Sequence, residues 1–142
     1  MINSKMIAEN IDNITYHNIF ISESNKNTTN NFIKIFYSNN IFFLNSIYIK
    51  LEINNLKFHN NKILFDSIYN IEKIKNLESF ILNNVNTNKE PVFKLTNLLD
   101  NNILKYGYEI HKYNILKISG IWETTENYGI TFKILESNKT II

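Results

Sequence analysis

Cysteine and arginine are absent from this chain of 142 residues, which contains one proline and three glycines. Without Cys there is no disulfide, no zinc–thiolate site and no thiol nucleophile. That absence leaves the compartment open, since many secreted proteins also lack Cys. Without Arg, any phosphate contact falls to Lys, which offers a point charge and not a bidentate fork. Gly107, Gly120 and Gly129 are too few and too scattered to build a phosphate cradle. Turns must therefore come from Asn and Asp, which tolerate left-handed backbone and close Asx-turns. No apolar run approaches the roughly 20 residues of a membrane span. The first ten residues lack the apolar core of a signal peptide.

Asn and Ile dominate, and Ala8 and Pro91 are each alone of their kind. Residues with A/T-rich codons have displaced those with G/C-rich codons. Such a bias points to an A+T-rich genome, as in some large DNA viruses, protists, linear plasmids or insect endosymbionts. It is mutational pressure, so the Asn-x-Ser/Thr triplets at Asn13, Asn27 and Asn138 are expected by chance. Hydrophobic residues make up 44% and aromatics 13%, which fits a folded chain. The length suits a single domain over 1–142, able to bury roughly 70% of its unfolded surface without metal or disulfide. Fifteen lysines oppose thirteen acids, for a net charge of +2. A balance so even does not announce a nucleic-acid partner.

Asn-rich breaks at 24–31, 38–40, 54–55 and 60–61 separate segments of β character. Residues 14–21 and 32–37 are rich in branched and aromatic side chains. Residues 46–53 alternate strictly, with Ile47, Ile49, Leu51 and Ile53 on one face and Ser46, Tyr48, Lys50 and Glu52 on the other. Asn54-Asn55 reads as a hairpin turn into 56–58, with 62–65 following. From Asp66 the period changes. Ile68, Ile71, Ile74, Leu77, Ile81 and Val85 recur at helical spacing, with Glu72, Lys73, Asn76 and Glu78 on other faces. One amphipathic helix is expected over about 67–84, capped by Asp66 or Ser67. Residues 92–95 read as a short strand, and 96–105 as helix or loop. Residues 113–122 and 129–136 alternate again and predict an antiparallel hairpin. The fold class is β-rich α+β, a small OB-like barrel or antiparallel sandwich with one packing helix.

Catalytic chemistry finds little material. His17, His59 and His111 do not share metal-ligand spacing, and Asp12, Asp66 and Asp100 stand isolated. Glu109 and His111 would share a face if their segment is a strand. An ordinary surface pair is the simpler reading, because no nucleophile or glycine-built oxyanion loop accompanies them. The expectation is a non-enzyme with no metal and no cofactor. What remains is Lys interleaved with aromatics on strand faces. Single-strand binders use that combination, stacking bases on rings and neutralising phosphates with ammonium groups. Tyr48 and Lys50 share one strand face; Lys34 and Tyr37 flank the 32–37 strand; Lys57 follows the turn; Lys117 and Lys133 point outward from the last two strands. Tyr on a strand also serves packing, and Lys also discourages edge pairing. Trp122 either closes the end of the core or joins Tyr128 as a stacking platform at the loop mouth.

Residues 116–134 (LKISGIWETTENYGITFKI) carry a resemblance. With Gly120, Trp122, Glu123, Thr124, Tyr128, Gly129, Thr131 and Lys133 at its centre, the stretch resembles the C-terminal hairpin of small proteins of nucleocytoplasmic large DNA viruses. Some of those are similar to OB-fold single-stranded DNA-binding replication proteins. Gly120 is expected to serve a bulge or a close approach, and Gly129 a left-handed exit from the loop. The resemblance implies sequence-tolerant binding of single-stranded nucleic acid, DNA above all, in viral replication. The expected site is Tyr48, Trp122 and Tyr128 for stacking, with Lys50, Lys57, Lys117 and Lys133 for phosphate. The alternative is a viral structural or assembly protein acting through protein contacts. Partners would be nucleic acid, a second copy or other viral proteins, and no membrane. The location implied is the host cytoplasm or a viral replication site, with the virion as the alternative.

Overall fold

Branched and aromatic residues favour pleated backbone, and the chain divides into many short strands joined by Asn turns. The computed structural model describes residues 8–22, 32–39, 43–107 and 113–136, Tyr113 by its backbone alone. Its first strands are β1 (Glu9–Asn10), β2 (Ile19–Ile21), β3 (Phe32–Ser38), β4 (Phe43–Leu44) and β5 (Ile47–Lys50). Then come β6 (Ile53–Asn54), β7 (Lys57–His59), β8 (Lys62–Leu64) and β9 (Ser67–Ile68). Helix α1 (Ile71–Asn83), β10 (Glu90–Pro91), helix α2 (Lys94–Asp100), β11 (Ile103–Tyr106), β12 (Tyr113–Glu123) and β13 (Asn127–Glu136) complete the order.

β12 is the hub of the main sheet. One of its edges runs along β13, as the alternation in both segments predicts. Its other edge is shared. Ile115 to Ile118 pair with β5, whereas Gly120 to Trp122 pair with β3, which also carries β2 and β4. The partner changes at Ser119, an extra residue in β12 relative to β13. Such a bulge bends a strand and reverses the sides of all later side chains. Leu116 and Ile118 are buried before it, Ile121 and Glu123 after it.

Several expectations are corrected. The sheet is mixed, since β1 runs parallel to β5 and β10 parallel to β13. Its path ends at β1 and β10, so no closed barrel forms among the described residues. Two α-helices are present among the described residues where one was expected, and 3-10 turns at Ile11–Asn13 and Tyr16–Asn18 replace the start of the strand expected at 14–21. The first α-helix begins at Ile71, not at 67, because Ser67 and Ile68 pair with Asn54 and Ile53. Asn70 then sits at φ 55°, in left-handed backbone that no right-handed helix includes. Asp66 caps nothing and instead accepts from Asn55 and Lys57. The strand expected at 92–95 is displaced to Glu90–Pro91, and α2 occupies part of 96–105. The hairpin turn is Asn60-Asn61 and not Asn54-Asn55. His59 faces Lys62 across two left-handed residues, the backbone a type I′ turn requires. All five described non-glycine residues with positive φ are Asn: 55, 60, 61, 70 and 102. The chain poor in Gly has used Asn in its place.

The inner face of the sheet supplies Ile35, Ile47, Ile49, Leu116, Ile118 and Ile121 to one core. Against it lie Ile74, Leu77, Ile81 and Leu82 of α1, Leu95 and Leu99 of α2, and Ile63 and Leu104 of the sheet β11–β8–β7. Each such side chain contributes about 1.5–3 kcal/mol when fully buried. The helical stripe read from spacing is thus the buried one. Glu78, expected on another face, is fully buried as well.

Asp12 ties the N-terminal segment to the start of α1. Its carboxylate accepts from the Tyr69 hydroxyl at 2.7 Å and from Asn70 Nδ2 at 2.6 Å. Those two bonds, Tyr69 first, hold its pKa below the ordinary value, with the Lys73 charge adding to them. Asp66 is lowered likewise by Asn55 and then Lys57. A carboxylate depressed by folding stabilises the fold above its unfolded pKa and loses that contribution as pH falls through the folded value. The melting temperature is therefore expected to drop below roughly pH 4. In thermal scans from pH 6 to 2, Asp12→Asn should show a shallower decline than the parent. Parallel declines would rule Asp12 out as a source.

Candidate nucleic-acid interface

The sheet's other face is open, and strand register decides what stands on it. Directly opposed residues of paired strands project to one side. Tyr48, Lys117 and Lys133 form one row across β5, β12 and β13. Lys34, Gly120 and Thr131 form the next, and Phe32, Trp122 and Gly129 the third. Phe20 stands beside Phe36, and Ser38 beside Phe43, on the same side of β2, β3 and β4. Lys50 follows Tyr48 at period two.

Glycine makes room for two of the rings. A Cβ on Gly129 would lie 2.6 Å from Trp122 Cζ2, so the indole rests where a side chain would be. Gly120 offers the same floor to Phe32. Gly129 is not in left-handed backbone, and its role is this clearance. Phe20, Phe32 and Phe43 are 51%, 50% and 63% exposed, which leaves faces and edges for a ligand. Phe36 and Phe43 stack with centroids 5.2 Å apart. The Lys117 ammonium lies 5.7 Å from the Tyr48 ring centroid, within cation–π range.

The charges divide by side. Lys57, Lys75 and Lys89 are ion-paired with Asp66, with Asp100 and Glu72, and with Glu123. Lys34, Lys50, Lys117 and Lys133 have no carboxylate partner among the described residues. No Asp or Glu occupies a described outward position between these rows. The glutamate of the GIWET stretch, Glu123, turns inward and meets Lys89 at 3.1 Å. A net charge of +2 thus conceals a face on which the described charges are all positive.

Of the seven residues expected from sequence, Tyr48, Lys50, Lys117, Trp122 and Lys133 share this face. Two do not. Tyr128 sits opposite Glu123 on the core side, and its hydroxyl donates to the Leu82 carbonyl at 2.9 Å. Burial pushes that phenol up. It cannot form a platform with Trp122, since adjacent pleat positions point to opposite sides. Lys57 belongs to the β7–β8 hairpin and is held by Asp66 at 3.1 Å. Tyr37 is buried too, accepting from Thr15 N–H at 3.0 Å. Sequence reasoning missed Phe20, Phe32, Phe36 and Phe43. The signal was present in 32–37, where Phe32, Lys34 and Phe36 alternate with Ile33, Ile35 and Tyr37.

Glu109 and His111 lie outside the described residues. Among the described residues no three His, Asp or Glu side chains gather at metal-binding distance, and no helix is long and apolar enough to cross a membrane. No protein family, curated protein or solved structure matches the chain.

Proposed function

We propose that the open face binds single-stranded nucleic acid without sequence readout. The observation that carries this reading is the face on which aromatic rings alternate with lysines that have no carboxylate partner among the described residues. Unpaired bases of any identity stack on such rings at about 1–3 kcal/mol each, while lysines follow the phosphates. A duplex hides its base faces and would leave Phe32 and Trp122 unused. The resemblance of the C-terminal hairpin favours DNA and a role in viral replication, with an OB-like ancestry for the fold.

Fluorescence anisotropy of labelled oligo(dT) tests the proposal. Each neutralised phosphate of a single strand contributes about −0.7 to the slope of log K against log salt. Four lysines then give a slope of about −2 to −3, and Lys117→Ala should flatten it by about 0.7. Trp122→Ala should weaken binding about 10-fold, the worth of one stacked base. Lys57→Ala should leave both quantities unchanged, because that lysine lies off the face. The corner formed by exposed Phe20 and Phe43 with half-buried Phe36 favours the second reading, assembly through protein contacts. Absence of oligo(dT) binding at low salt would reject the first reading and leave the second.

A further inference from the structure

β13 is paired along one edge by β12, and among the described residues its other edge is paired at Asn127 and Tyr128 alone, by β10. Two hydrogen bonds set the phase of that edge. The Tyr128 carbonyl accepts from Val92 N–H at 2.8 Å on the β10 side. The Asn127 carbonyl accepts from Thr124 N–H at 2.9 Å on the β12 side. Backbone polar groups of successive strand residues point to alternate edges, and β13 has no extra residue of its own against β12. Ile130, Phe132 and Ile134 therefore turn their N–H and C=O groups to the open edge. The Thr131 carbonyl, which accepts from Ser119 Oγ on the β12 side, keeps the same phase.

Across from this edge stands β11, which pairs with β8 and not with β13. Between them is a cleft of about 520 Å³. Residues 130–135 of β13 and 104–106 of β11 line it without interruption, and α2 closes one end with Lys94. Consecutive residues on both walls place strand edges along the space, and the Trp122 ring with the outward Thr131 and Lys133 extends it onto the sheet face. Lys94 and Lys133 border the space, and no Asp or Glu of the described residues does.

We infer that this cleft takes an extended acidic segment of another protein as an added strand on β13. Main-chain bonds to Ile130, Phe132 and Ile134 supply its affinity, and Lys94 and Lys133 select its charge. The span from Ile130 to Ile134 is about 13 Å, room for four or five residues. The row of alternating donors and acceptors suits a peptide backbone; a phosphate strand would satisfy the N–H groups alone. A second copy is disfavoured because its own β13 would bring Lys133 near Lys133. The inference does not rest on nucleic-acid binding at the open face, although Lys133 and Trp122 border both surfaces.

The test is anisotropy of a short labelled peptide of alternating valine and glutamate, titrated with the full chain. Its analogue, N-methylated at alternate amides, keeps every charge but cannot extend the sheet. The unmodified peptide is expected to bind at least about tenfold tighter than the analogue, the worth of one or two hydrogen bonds. Lys94→Glu should weaken the unmodified peptide severalfold and leave oligo(dT) affinity unchanged. Equal binding of the two peptides would overturn the inference, since charge alone would then explain it. No binding at low salt, or a peptide-independent dimer through β13 in sedimentation, would overturn it as well. The separate oligo(dT) titration keeps its failure distinct from failure of the open-face reading.

Discussion

Glu78→Ala is expected to cost about 3–5 kcal/mol of folding stability, far beyond an ordinary helix-surface substitution. Glu78 lies on α1, fully buried, and its carboxylate reaches across to the start of α2. Leu95 N–H donates to one oxygen at 3.1 Å and Thr96 N–H to the other at 2.8 Å, which also accepts from the Thr96 hydroxyl. The first N–H groups of a helix have no partner within it, and here the partner comes from another helix. Alanine removes three charge-assisted bonds and strands two donors beside Leu95, itself almost fully buried. Urea titration should show a midpoint lower by about 2 M at an unchanged slope of about 1–3 kcal/mol/M. Glu78→Gln should lose less, because one amide oxygen still accepts. A loss below about 1 kcal/mol for alanine would show that α2 does not depend on this cap.

Gly120→Val is the second large effect, expected to exceed about 3 kcal/mol. Gly120 lies next to the bulge, in the central strand, between Thr131 of β13 and Lys34 of β3. A Cβ there would lie 2.5 Å from the Ile33 carbonyl oxygen and would overlap the Phe32 ring. The ring can swing away, but the carbonyl belongs to a paired strand. Gly120→Ala should therefore already cost about 2 kcal/mol or more. The contrast is Gly129→Ala, where the closest atom, at 2.6 Å, belongs to the half-buried Trp122 ring and the Val92 carbonyl oxygen lies farther off, at 2.9 Å. That variant should lose less stability than Gly120→Ala yet weaken oligo(dT) binding, because it lifts the indole off the sheet. Equal stability losses at the two glycines would contradict this division of roles.

Where the pattern is local, the sequence reads well. Alternation over 46–53 gives β5 its buried Ile47 and Ile49 and its outward Tyr48 and Lys50. The ladder to β12 runs to a last bond, from Leu51 N–H to the Asn114 carbonyl, and the chain then leaves it for β6. Spacing also identifies Ile74, Leu77 and Ile81 as the buried stripe of α1. Glu78 is misplaced by the same reasoning, since no periodicity tells a carboxylate that it will meet the bare end of α2. The isolated acids Asp12, Asp66 and Asp100 likewise prove to be ties, to Tyr69, Lys57 and Lys75, through contacts distant in sequence. Phe32, Lys34 and Phe36 alternate with Ile33, Ile35 and Tyr37 as plainly as Tyr48 and Lys50 do with Ile47 and Ile49.

The sequence by itself determined which residue type makes the turns, the central strands and the first helix that local periodicity marks, and the chemistry on offer. With so few glycines the left-handed positions fall to Asn, and period two or helical spacing names strand or helix, because these depend on neighbours along the chain. Tertiary structure alone decided that the Tyr48 row joins the Trp122 row. The bulge at Ser119 reverses the pleat, so that Lys117 and Trp122, of opposite parity in sequence, share one face. It also decided that Tyr128 goes inward, that Glu78 meets α2, and that the edge of β13 stays open. A side chain's environment is set by which distant strand or helix covers it, and long-range packing supplies that cover.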